Sequence, residues 1–132
     1  MRIGVVTGSF DPITNGHLDI IERASKFFDK LYVVAFINEK KHYLFSEEAR
    51  LEMMKLATSH IKNVKCDFSS CFACDYCLKV SANCMIRGIR DYKDYIYEAD
   101  LARQNMAFKG IETVFLLSRN DIKSSVIRNK LI

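Results

Sequence analysis

Gly8-Ser9-Phe10-Asp11-Pro12-Ile13-Thr14-Asn15-Gly16-His17 decides the fold, because it places a turn between an apolar strand and an amphipathic helix. Before it, Arg2-Ile3-Gly4-Val5-Val6-Thr7 is short, apolar and β-branched, the make-up of a buried strand. After it, Leu18, Ile21, Ala24, Ser25 and Phe28 recur at helical spacing. Gly8 and Gly16 let the backbone approach an anion, and Pro12 stiffens the turn. The helix that follows aims its unpaired N–H groups and the positive end of its dipole back at the loop. The stretch therefore reads as a phosphate site. His17, in the first helical turn, can donate a hydrogen bond to a phosphoryl oxygen where charge builds in a displacement.

Outward from this turn, apolar runs at 3–7, 31–37, 64–68, 84–86 and 113–117 alternate with helical patterns at 16–28, 46–58, 72–81 and 94–106. Buried strands joined by helical crossovers predict an α/β chain with a doubly wound, parallel, five-stranded sheet and right-handed connections. Ligands in such sheets bind beyond the carboxyl ends of the strands. Those ends bring residues 7–9, 38–41, 87–90 and 118–125 to one rim, with Arg87 expected at a strand exit. Ser46 followed by Glu47 and Glu48 suits the start of a helix.

The 132 residues contain no Pro/Gly/Ser-rich linker, so a single domain over 1–132 is expected. With 49% hydrophobic and 27% charged residues the composition is that of a soluble globular chain, and no apolar run is long enough to span a membrane. The chain enters its first strand at once, with no leader-like segment, and a cytoplasmic setting is expected. A formal charge of +4, with lysines scattered apart from Lys40-Lys41-His42, fits small anionic ligands better than a nucleic-acid surface. Cys71, Cys74 and Cys77 are three apart, which on the helix expected at 72–81 puts them on a narrow arc as packed thiols. The alternative, a metal set, lacks a second CxxC pair or a Cys/His tetrad, so no metal ligands are assigned.

GSFDPITNGH resembles the T/HxGH signature of the nucleotidyltransferase superfamily, and in detail that of the phosphopantetheine adenylyltransferases. The resemblance continues in Lys40-Lys41, in Phe45-Ser46-Glu47-Glu48-Ala49-Arg50, and in Ile86-Arg87-Gly88-Ile89-Arg90 with Tyr97-Glu98 and Asn105 downstream. Four separated blocks in order are a specific signal. The resemblance implies a Rossmann-like nucleotidyltransferase fold, Mg2+ as cofactor, a homohexamer, and transfer of AMP from ATP to 4′-phosphopantetheine. Dephospho-coenzyme A and pyrophosphate are then the products. The alternatives are another small nucleotidyltransferase, such as a glycerol-3-phosphate cytidylyltransferase, and a non-catalytic nucleotide or coenzyme A binder.

Residue by residue, the resemblance makes His17 the catalytic group beside the α- and β-phosphates. It gives acceptor contacts to Ser9, Lys41, Ala73 and Arg87. It gives ATP contacts to Ser9, Phe10, His17, Gly88, Ile89, Arg90, Glu98, Ile122, Ser124 and Ser125. Asp94 and Asn105 read as packing residues. The family's I-S-S-S motif after the last strand stands here as Ile122-Lys123-Ser124-Ser125 on an abbreviated loop, a departure that bears on the adenine side.

Overall fold

A computed structural model describes residues 1–38 and 40–119. Its elements run β1 (Ile3–Gly8), α1 (Asn15–Ser25), β2 (Lys30–Phe36), α2 (Glu47–Thr58), β3 (Val64–Ser69), α3 (Ala73–Lys79), β4 (Cys84–Ile89), α4 (Tyr92–Lys109) and β5 (Glu112–Leu117). The five strands are parallel and ordered β3-β2-β1-β4-β5. The order reverses between β1 and β4, so their carboxyl ends diverge into a crevice, the place where open α/β sheets hold ligands.

Strand residues alternate between two cores, as the two-residue period of a strand requires. Val6, Leu31, Val33, Ala35, Cys84 and Ile86 pack against Ile20, Ile21 and Ala24 of α1 and Met54 of α2. Val5, Val34 and Met85 face the other way, against Cys74, Tyr76 and Cys77 of α3 and Ile111. Asn105 of α4 lies on that second face too, its amide against the Met85 sulfur. The sheet is thus covered on both sides, and the doubly wound expectation holds.

Three local expectations change. β4 runs on through Arg87-Gly88-Ile89, paired with Phe115, Leu116 and Leu117, so Arg87 lies inside the strand and not at its exit. α3 begins at Ala73, which leaves Cys71 exposed ahead of it, while Cys74 and Cys77 are buried. The narrow arc of three thiols is therefore two. α4 begins at Tyr92 because Asp91 caps it, accepting from the Asp94 N–H at 2.9 Å. It ends at Gly110, whose φ of 67° is the left-handed conformation glycine adopts without strain.

Candidate active site

β1 ends at Gly8, and residues 9–14 turn the chain into α1. Phe10 is in the left-handed region (φ 47°), costly for a non-glycine residue, and its ring is buried beneath Gly8. A Cβ at Gly8 would come within 3.2 Å of that ring. Asp11, also buried, accepts hydrogen bonds from the Leu44 and Phe45 N–H groups at 2.7 and 2.9 Å, tying the loop after β2 to the loop after β1.

Thr14 caps α1 in a reciprocal box with His17. The His17 N–H donates to Thr14 Oγ1 at 3.3 Å, and the Thr14 N–H donates to His17 Nδ1 at 3.0 Å. A backbone N–H can only donate, so Nδ1 is the acceptor and the neutral ring carries its proton on Nε2. Burial, then the charges of Arg87 and Arg90, pull the His17 pKa down to about 4. The imidazole is accordingly a neutral Nε2–H donor at pH 7. Phe10 steadies it edge-on, with ring centroids 5.0 Å apart.

Arg87 enters from β4. Its Nε and Nη2 donate to the two oxygens of Glu98 at 2.9 and 2.6 Å, and Nη1 donates to the Thr7 carbonyl and hydroxyl at 2.8 and 2.9 Å. Arg90, just past the strand, donates through Nε and Nη2 to Asp94 at 2.7 and 2.9 Å. Both carboxylates project from α4, one turn apart. A planar guanidinium held by two parallel bonds has its orientation fixed.

These groups enclose one cavity of about 260 Å³ at the β1/β4 crevice. Its wall takes Val6 to Phe10 from the first strand and loop, Gly16, His17 and Ile20 from α1, Arg87, Gly88 and Arg90 from β4 and its exit, Asp94 and Glu98 from α4, and Ser118. A family model described as cytidylyltransferase-like matches residues 5–130. The chain belongs to the cytidylyltransferase-like family. Among solved structures, a lipopolysaccharide core biosynthesis protein from Thermoplasma volcanium GSS1 is similar at TM-score 0.64 and 22% identity, over 92% of this chain and 99% of that one. A protein assigned as a nicotinate-nucleotide adenylyltransferase from Vibrio parahaemolyticus superposes at TM-score 0.73 and 16% identity, over 99% and 87%. A pantoate-beta-alanine ligase from Francisella tularensis, complexed with beta-gamma ATP and beta-alanine, gives 0.66 and 14%, over 99% of this chain and 65% of its own. At these identities the likeness establishes the fold.

In this cytidylyltransferase-like cleft, the structure brings together Ser9, Phe10, His17, Arg87, Gly88, Arg90 and Glu98 of the residues singled out from sequence. Lys41 is exposed on the loop after β2, and Ala73 packs against the α3 core; neither lines the cavity, nor does Ile89. Ile122, Ser124 and Ser125 lie outside the described residues. Thr7 and Ser118, expected on the rim but given no role from sequence, line the cavity. The cap residue Thr14 was missed, and Asp94, read as packing, lines the cavity and holds Arg90. Thr14 was legible in principle, since Thr three residues before a helical His is a capping-box spacing. Asp94 lies four residues after Arg90, but Arg90 is not helical, so that pair could not be read from helix spacing.

Proposed function

We propose that this chain is an enzyme that transfers AMP from ATP to 4′-phosphopantetheine, giving dephospho-coenzyme A and pyrophosphate. The observation that carries a nucleotidyl transfer is the cavity itself: a neutral histidine donor and two oriented arginines around a glycine turn at the sheet's switch point. The four sequence blocks that resemble the phosphopantetheine adenylyltransferases support the choice of substrates. In the reaction, an oxygen of the acceptor phosphate forms a bond to the α-phosphorus while the bond from that phosphorus to the bridging oxygen breaks, and pyrophosphate leaves in line. His17 Nε2–H donates to a non-bridging oxygen as charge gathers there, and Arg90 meets the departing phosphates. Arg87 already commits four of its five N–H directions to Glu98 and Thr7, so it meets the acceptor phosphate through its charge and a single N–H, or by exchanging Glu98.

Magnesium fits as part of the bound nucleotide, not as a resident of a protein cage. Among the described residues no three His, Cys, Asp or Glu side chains gather as a metal set, and the cleft's two carboxylates, Asp94 and Glu98, already hold arginines. Such a cation would be held mainly by substrate phosphates and water, with the Ser9 hydroxyl in the cavity wall as an uncharged oxygen donor, and it would offset the charge of the leaving pyrophosphate. The same reading carries a single domain over 1–132, a homohexamer and a cytoplasmic setting. Pyrophosphate release measured with 4′-phosphopantetheine and each of ATP and CTP, and with glycerol 3-phosphate as alternative acceptor, tests it. Turnover with ATP and phosphopantetheine is expected; turnover only with CTP and glycerol 3-phosphate would replace it with the cytidylyl reading.

A further inference from the structure

Arg50, in the second turn of α2, is 1% exposed, yet no carboxylate pairs with it among the described residues. Its Nη1 donates to the Ser9 carbonyl at 3.2 Å, and its Nε finds no hydrogen-bond partner. The guanidinium carbon lies 3.9 Å from the centre of the Tyr43 ring and 4.8 Å from that of Phe68. Among the described residues this buried charge meets a carbonyl and two π faces, a costly way to fill space. Its placement supplies a reason. The Ser9–Phe10 peptide is trans, so the Phe10 N–H points away from the carbonyl that Arg50 holds. Arg50 thus orients and polarises one amide of the phosphate loop from behind, next to a residue kept at positive φ. Tyr43, stacked on the same guanidinium, accepts through its hydroxyl from the Asn38 N–H at 2.9 Å, which braces the loop bearing Lys40 and Lys41.

We propose that Arg50 is a positioning residue for the transfer: its buried guanidinium holds the Ser9–Phe10 peptide so that the Phe10 N–H is presented to a phosphate, and through Tyr43 it sets the loop that carries Lys40 and Lys41. This rests on the nucleotidyl-transfer reading, and inorganic tripolyphosphate separates the two, because it needs neither the correct base nor the correct acceptor. Wild type, Arg50→Met and Arg50→Lys are compared by calorimetric binding of tripolyphosphate, by turnover and by thermal unfolding. Arg50→Met, of similar length and apolar, should leave the melting temperature unchanged or raised, while tripolyphosphate binds roughly ten- to hundredfold more weakly. Arg50→Lys, which keeps the charge without the fork, should recover part of that loss. A purely structural arginine would show the reverse, lower stability with unchanged affinity in the folded protein. In the wild type, whatever the variants do, the Phe10 amide proton should move downfield on adding tripolyphosphate. An unmoved Phe10 amide while Gly8 and Ser9 shift, or Arg50→Met binding as wild type does, overturns the proposal. A wild type that binds no tripolyphosphate overturns the transfer reading and the Arg50 role with it.

Discussion

His17 concentrates the chemistry in one ring whose proton has been assigned by its neighbours. If Nε2–H is the donor, His17→Ala should lower turnover by roughly 10²–10³-fold while nucleotide binding changes little, since the bond strengthens mainly as charge develops. Wild-type turnover in a folded variant would remove His17 from the mechanism. The depressed pKa makes a second expectation. Between the unfolded value near 6.5 and the folded value of about 4, the unfolded chain binds a proton that the folded chain does not. The contribution of this site to stability is therefore complete above pH 6.5 and is lost as pH falls toward 4, on the order of 3 kcal/mol at most. Part of the depression comes from Arg87 and Arg90, so a bound polyphosphate, by offsetting their charge, should raise the His17 pKa. NMR titration of the His17 ring with and without tripolyphosphate reads both; a free-protein pKa near 6.5 contradicts the buried neutral donor.

At the scale of the element, the same histidine is half of a helix cap. Thr14→Val removes the hydroxyl from the box but leaves the Thr14 N–H that fixes Nδ1. It should cost about 1 kcal/mol of stability, the usual worth of an N-cap, and change turnover only severalfold. Denaturant unfolding beside steady-state kinetics checks this, and a turnover loss as deep as that of His17→Ala would make the hydroxyl the orienting group. Element existence was legible in the sequence because burial imposes period two on strands and about 3.6 on helices. Element ends were less so. β4 was expected to stop at 86, since Arg87 and Gly88 interrupt its apolar run; the strand continues because Arg87 finds Glu98 and Thr7, partners that sequence order does not reveal. α4 starts earlier than its apolar pattern because Asp91, a polar cap, sets the first turn. Of the site, the turn and its histidine were readable from one contiguous stretch. The arginine–carboxylate pairings were not, because they join β4 to α4 only after the chain has folded.

For the molecule as a whole, the two cores on either side of the sheet make a prediction through the five cysteines. Cys66 and Cys84 belong to the α1/α2 face, and Cys74 and Cys77 to the α3 face. Burial raises the pKa of all four thiols, that of Cys77 to about 12. A thiol reacts as its thiolate, so ionisation protects all four, and burial also closes access to Cys74, Cys77 and Cys84, with Cys66 half-buried against its core. Cys71 is exposed ahead of α3, its sulfur 2.9 Å from Ser69 Oγ. At pH 8, an aromatic disulfide reagent should therefore label one thiol quickly, and Cys71→Ser should abolish that phase alone. The other four lie on both faces of one continuous sheet, so they should react together, at a rate that follows global unfolding as denaturant is added. Labelling of Cys74 and Cys77 well before Cys66 and Cys84 would show that α3 detaches on its own, and that the two faces are not one cooperative unit.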